Sequence, residues 1–258
     1  MSTFLFNSII FGPVWSRRLG ESLGINLLPA NQKVCNFNCI YCECGLTPKM
    51  NSNSGFPPRQ EVKELLTARL QEMKKDGDYL DSITFAGNGE PTLHPEFPRI
   101  MKDTLEIRDI IFPEARIAVL SNATQAGNKL IFDALMKADM NILKLDSAFE
   151  ETLRNINCPR GKFSLSHVIT SMKKFRGKLI IQTLFFRGIY NGIVIDNSTE
   201  TEVAALMNLI AELRPECVMI YSIARDTAVS GLNRVGVEEL TAIADRIQNL
   251  GIAVQITP

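Results

Sequence analysis

No stretch of this chain is apolar for long enough to cross a bilayer. The longest apolar-rich runs, such as 179–186, are broken by Gln182 and Thr183 and fall far short of about 20 residues. The first ten residues hold no basic segment followed by an extended apolar one, so no secretory signal is expected. A cytoplasmic location without membrane attachment is the resulting expectation. Nor does the composition carry the biases that mark disordered, collagen-like or disulfide-scaffold chains. Of its 258 residues 45% are apolar and 22% charged, enough for a sizeable core in one large domain or two small ones. No internal repeat is visible.

Acid is missing where the total charge would not suggest it. The 28 basic and 28 acidic residues cancel, yet segment 152–195 holds no Asp or Glu. It carries Arg154, Arg160, Lys162, Lys173, Lys174, Arg176, Lys178 and Arg187. Gathered on one face, these would attract an anionic partner such as tRNA. Spread over several faces, they would be ordinary solvated charge.

Six cysteines are present, four of them within ten residues: Cys35, Cys39, Cys42 and Cys44. Tight clustering without a disulfide framework points to a metal centre. Zinc takes four ligands, often from two separated pairs. Here the fourth local thiol, Cys44, stands too close to Cys42 for easy ligation of the same ion. Three thiolates on an iron–sulfur cube would leave one iron open to a substrate or cofactor. On spacing alone both readings stand, the second alternative being a zinc-binding scaffold with no chemistry of its own.

Apolar periodicity predicts helices at 61–75, 202–213 and 237–249, with weaker ones at 129–138 and 165–175. Thr199 and Glu202 form a capping box for the second. Short apolar runs at 25–28, 82–85, 116–120, 141–145, 179–184, 217–221 and 253–256 read as strands. Their alternation with helices predicts an α/β fold with a parallel sheet. The cysteines, Gly87–Pro91, Ser121–Asn122 and Asp146 then follow four successive strands, where a barrel would bring them together.

The string CNFNCIYC resembles the Cys-x3-Cys-x-aromatic-Cys signature of the radical S-adenosylmethionine (SAM) superfamily. About forty residues on, FAGNGEPTLHP is similar to that superfamily's Gly-Gly-Glu-Pro motif, with Asn88 in place of its first glycine. The earlier string FGPVWSRRLGESLGINLLP is similar to short members related to the wyosine-base tRNA synthases. The resemblance covers most of the chain and implies a partial, open (β/α)6 TIM-type barrel in a single domain, with the cysteine loop near 29–56.

It also implies a chemistry. Cys35, Cys39 and Cys42 would hold a [4Fe–4S] cluster whose fourth iron takes the amino and carboxylate groups of SAM. A low-potential electron from a flavodoxin- or ferredoxin-type donor would split SAM into methionine and a 5′-deoxyadenosyl radical. That radical would abstract hydrogen from a substrate that the motifs do not name. Tyr41, Gly87, Asn88, Gly89, Glu90, Pro91, Ser121, Asn122 and Asp146 are the expected SAM-binding positions. Glu90 is assigned the ammonium; Ser121, Asn122 and Asp146 the ribose hydroxyls or carboxylate, against an alternative of caps and turns. Arg17, Arg18, Cys158 and Arg160 are candidates for substrate contact. The substrate classes are a tRNA base, a peptide or protein to be modified or activated, or a small metabolite. No second three-cysteine set of the kind wyosine synthases carry is present. Cys44 is expected to be a bystander, and Cys217 a core residue.

Overall fold

The computed structural model describes residues 4–48 and 55–257. The Asn-Ser-rich stretch 50–55 is expected from sequence to be a loop, and its residues 50–54 lie outside the described residues. Among the described residues there are ten strands: β1 (Ile10–Ser16), β2 (Gly20–Ile25), β3 (Ser82–Phe85), β4 (Arg116–Ser121), β5 (Met140–Lys144), β6 (Ile180–Tyr190), β7 (Ile193–Asp196), β8 (Cys217–Ser222), β9 (Leu232–Arg234) and β10 (Ala253–Thr257). The helices are α1 (Arg59–Asp76), α2 (Phe97–Ile111), α3 (Lys129–Leu135), α4 (Glu150–Asn157), α5 (Leu165–Lys173), α6 (Glu200–Leu213) and α7 (Val237–Gln248).

The main path of the sheet runs β1-β2-β3-β4-β5-β6-β8-β10, and every pairing from β2 to β10 is parallel. β1 caps one edge antiparallel to β2, and β7 and β9 add antiparallel to the far end of β6. Six βα units followed by β10 make the expected barrel, which stays open. Across the gap Gln255 Nε2 donates to the Arg17 carbonyl at 3.4 Å.

The two faces of the strands explain the arrangement. Ile83, Phe85, Ile117, Val119, Ile181, Phe185, Val218 and Ile220 are buried in the main core shared with the helices. Their strand neighbours, one residue out of phase, point into the barrel. There Leu19, Ala118, Met140, Ile142, Ile180 and Met219 form a smaller apolar layer. Beside it the interior is polar: Ser22 and Thr84 hydroxyls lie 2.7 Å apart, and Gln182 lines the cavity.

Three differences from the sequence reading have local causes. The first barrel strand ends at Ile25 instead of starting there. Asn26 folds back on Leu28, its Oδ1 accepting Leu28 N (3.2 Å) and its Nδ2 donating to Leu28 O (3.0 Å), which takes the chain out of the ladder. Helices α2 and α4 were not predicted. α4 has only eight residues, too few to show a period. The predicted apolar faces also lose two members to solvent, Leu65 and Val237. Leu65 sits at the edge of the α1 stripe, and Val237 is the first residue of α7.

Candidate active site

The cysteine loop leaves β2 and carries almost no regular structure, so its backbone groups must find partners elsewhere. On one side they meet the turn after β3. Val34 N donates to Asn88 O (2.8 Å), and Glu90 N donates to Val34 O (3.1 Å). Gly89 permits this approach: a Cβ there would stand 1.9 Å from Val34 O, and its φ is +138°. On the other side the loop meets the end of α4. Ile40 N, Asn38 N and Arg160 N bond to the carbonyls of Ile156 (3.0 Å), Asn157 (2.9 Å) and Asn36 (2.8 Å). Two carbonyls that α4 could not satisfy internally thus become an anchor for the loop.

Held this way, Cys35, Cys39 and Cys42 line one pocket of about 290 Å³. Tyr41, Gly87, Gly89, Glu90, Ser121, Asn122 and Arg18 line the same pocket, so most of the sequence-predicted site does converge. Nitrogen donors approach the sulfurs. Cys35 Sγ accepts from Phe37 N (3.4 Å) and Asn122 Nδ2 (3.8 Å), and Cys39 Sγ accepts from Asn157 Nδ2 (3.4 Å). Lys33, only 3% exposed, donates to the Gly45 carbonyl at 2.8 Å. Burial works against its charge, but the sulfurs of Cys42, Cys39 and Cys35 outweigh that and hold the ammonium above its ordinary value.

The thiols differ among themselves. Burial pushes Cys35 up to about 12 and Cys39 up to about 11. Cys42 is lowered to about 5, first by a hydrogen bond from Cys44 and then by Lys33, while Cys44 is raised in turn. Cys44 therefore supports its neighbour and donates weakly to Gly87 O (3.5 Å). Among the described residues no three Cys, His, Asp or Glu side chains converge as ligands of one ion do. An iron–sulfur cube takes each sulfur at a separate corner. Three thiols served by N–H donors and one buried ammonium, around a shared cavity, fit such a cube.

Several predicted residues have other work. Glu90, 2% exposed, spends both oxygens on the protein. Oε1 accepts from Thr92 N (3.2 Å), the Thr92 hydroxyl and Ser121 Oγ (2.8 Å); Oε2 accepts from Asn122 N (2.7 Å). Burial raises its carboxyl, and these donors pull back against that. It ties the turn after β3 to the end of β4. Asp146, fully buried, lies outside the pocket wall. It accepts from the Tyr41 hydroxyl, Asn157 Nδ2 (2.8 Å) and Leu184 N (3.0 Å). These bonds make Asp146 a brace for Tyr41. Asn88, also fully buried, bonds Phe6 N, Phe6 O and Pro29 O through its side chain. This explains why a side chain serves where the motif has glycine. Pro91 opens a buried 3₁₀ turn, Pro91–Leu93, and does not line the pocket.

Arg17 is exposed and stands outside the cysteine pocket. Cys158 Sγ faces Asn155 O at 3.4 Å, and Arg160 meets the loop through its backbone. Lys33, Lys144, Gln182 and Tyr221 line the pocket without having been singled out in the sequence. The position of Lys144 at the end of β5, two residues before Asp146, was the available signal. Three of the eight basic residues of the acid-free segment are paired with carboxylates. Arg154 pairs with Glu150 (2.7 Å), Lys173 with Glu212 (2.5 Å), and Arg187 with Asp196 (3.3 Å) and Glu239, on α4, α5 and β6 respectively.

The model of the radical SAM superfamily matches residues 32–210, more than half of the chain and the whole cysteine loop described here. The chain belongs to the radical SAM superfamily. Its cofactors are those of the family, a [4Fe–4S] cluster and SAM. Among curated relatives it is 28% identical over 241 residues to the UPF0026 protein MJ1312 of Methanocaldococcus jannaschii, covering 92% of this chain and 70% of that one. It is 26% identical over 235 residues to a protein of Brachyspira hyodysenteriae named GTPase Obg, covering 90% of this chain. There the chain spans only 32% of the relative's length. Among solved structures, a radical SAM methyltransferase from Sphaerobacter thermophilus matches with a TM-score of 0.66 at 15% identity, covering 92% of this chain and 65% of that one. Archaeal TYW1 matches at 0.54 and 12% identity, covering 88% and 71%. At these identities the likeness is one of fold. Among the described residues no helix is long and apolar enough to cross a membrane.

Proposed function

We propose that this chain is a radical SAM enzyme that binds its cluster through Cys35, Cys39 and Cys42 and abstracts hydrogen from a substrate held inside the barrel. When bound and reduced, such a cluster supplies the electron that splits SAM into methionine and a 5′-deoxyadenosyl radical. The observation that carries this reading is the single pocket shared by the three sulfurs, the Gly87–Glu90 turn and the end of β4.

The residues have separable tasks. Lys33 offsets the negative charge of the deprotonated thiols. Asn122 and Asn157 donate to sulfur, a contact that tunes iron–sulfur potentials. Glu90 and Asp146 keep Asn122 and Tyr41 in place. The barrel wall excludes water from a reactive species that would otherwise be quenched. A flavodoxin- or ferredoxin-type protein is the donor this chemistry calls for. Of the basic residues in segment 152–195, Arg154, Lys173 and Arg187 are paired with carboxylates and so contribute little to binding a tRNA substrate.

Anaerobic reconstitution with iron and sulfide tests the proposal. About four irons and four sulfides per chain are expected, with 5′-deoxyadenosine released after dithionite and SAM are added. Cys39→Ala is expected to abolish the product. A colourless protein that takes up zinc and no sulfide would overturn the reading in favour of the scaffold.

A further inference from the structure

Three cations line the cysteine pocket: Arg18, Lys33 and Lys144. Two are engaged. Lys33 is spent on the Gly45 carbonyl and the sulfurs. Lys144 donates to the Tyr221 hydroxyl at 3.2 Å and stands 3.8 Å from Asp146. Arg18 is different. Its guanidinium lies over the Tyr221 ring, 4.6 Å from the centroid, and its Nη1 is buried with no hydrogen-bond partner.

The fold holds this side chain in place. Ser16 Oγ accepts from the backbone N of Arg18 (3.3 Å) and of Leu19 (3.2 Å), fixing the β1–β2 turn. Leu19 then plugs into the apolar layer of the barrel. Arg18 thus rises from the turn into the interior, where it also borders a second cavity of about 150 Å³ with Ser22, Thr84 and Gln182. The carboxylates around the pocket are committed elsewhere. Glu43 pairs with Arg225 at 2.9 Å, and the oxygens of Glu90 and Asp146 are occupied as described. A buried guanidinium N–H with no acceptor is costly to maintain. Stacked on an aromatic face, the group leaves its planar edge of donors free for a carboxylate or phosphate.

We propose that Arg18, backed by Tyr221 and flanked by Lys144 and Gln182, is an anion subsite that seats a carboxylate or phosphate of the substrate inside the barrel. This rests on the radical SAM reading for its purpose and narrows the substrate to an anion-bearing molecule.

Binding to metal-free protein under reductant tests it apart from the radical chemistry. Inorganic phosphate and acetate are titrated at constant ionic strength, with chloride as the reference, and followed by calorimetry. At least one anion is expected to saturate, with affinity falling tenfold or more in Arg18→Leu and unchanged in the surface control Lys178→Ala. Arg18→Lys, which keeps charge but loses the fork, is expected to fall in between. Should Arg18→Leu not fold, phenylglyoxal labelling of wild type read by peptide mass serves instead, with Arg18 protected by the anion. Binding of phosphate alone supports a phosphorylated substrate, and acetate alone a carboxylic one. No saturable binding, binding indifferent to Arg18 substitution, or an unprotected Arg18 would overturn the subsite. So would displacement of the anion by S-adenosylhomocysteine, which would give the site to the cofactor's carboxylate. Failure to take up sulfide would strike the cluster reading and leave these measurements standing.

Discussion

Asp146→Asn changes one oxygen for an NH₂ at a fully buried position, so its cost can be worked out atom by atom. One carboxylate oxygen accepts from Leu184 N at 3.0 Å and lies 3.8 Å from Lys144 Nζ; the other accepts from the Tyr41 hydroxyl and Asn157 Nδ2. An amide keeps its oxygen best toward Leu184, since a backbone N–H and an ammonium cannot turn away. Its NH₂ then faces Tyr41, which can reverse its hydroxyl, and Asn157, which must flip. Flipping gives Asn157 Oδ1, buried and unpartnered in the native fold, a donor at last. The same flip withdraws Nδ2 from Cys39 Sγ. Two charge-assisted bonds are lost or weakened, at roughly 1.5–3 kcal/mol each, with partial recovery through the reversals. Lys144 also loses its carboxylate, and breaking a buried pair costs about 3–5 kcal/mol, less here because of the 3.8 Å gap and partial exposure. A net loss of about 3 kcal/mol is expected from urea unfolding of the metal-free protein, with less iron retained after reconstitution. The pH dependence has a definite sign. Lys144 is held above the ordinary lysine value despite burial, chiefly by Asp146. Its contribution is present below an unfolded value of about 10.4 and is lost as pH climbs through the raised folded value. The gap between wild type and variant should be flat from neutral pH to about 9 and shrink at higher pH. A variant within 0.5 kcal/mol of wild type, with full iron, would refute the bracing role (a difference of ~0.5 kcal/mol being the scatter of such comparisons).

Gly89→Ala should leave little folded protein, because its Cβ would lie 1.9 Å from Val34 O and break the loop's tie to β3. Gly77→Ala, at φ +79° with nothing within 4 Å, should cost only about 1 kcal/mol, and equal melting temperatures for the two would contradict the clash argument. Cluster uptake must deprotonate Cys35 and Cys39, held up near 12 and 11, so it should release protons and become more complete between pH 7 and 9. Iron content that falls over that range would count against these thiols as ligands. Cys44→Ala should keep its full complement of iron and sulfide, since Cys44 serves as a hydrogen-bond donor to Cys42 and the Gly87 carbonyl; loss comparable to Cys42→Ala would make it a ligand.

Much of the barrel was legible because its strands and longer helices carry their own periods. α1 and α6 showed an apolar stripe, and 82–85 and 116–120 fell within a residue of β3 and β4. The cysteines and the Gly87–Glu90 turn were legible as spacing. What escaped was set by contacts distant in sequence. Asp146 reads like a ligand after a strand, and only its bonds to Tyr41, 105 residues away, make it a brace. Arg18 was legible only as one of an arginine pair ahead of the first strand, and Lys144 only by its place at a strand end. They matter because the β1–β2 turn and β5 place them on the same Tyr221 ring.

The same reasoning says why the site is built where it is. A loop that must present three sulfurs to one cavity cannot also run as a helix or strand, since either periodicity would turn some of them away. It therefore gives up the hydrogen bonds that regular structure would supply, and buried amides left alone would unfold it. The β3 turn and the end of α4 return those bonds, one through a glycine that lets backbones touch and the other through carbonyls a helix cannot use. Both anchors also carry a donor to sulfur or its support, Asn122 by way of Glu90 and Asn157 at the last position of α4. Fixing the loop and preparing its sulfurs are thus one structural act, so a variant that frees the loop should lose cluster before it loses the barrel.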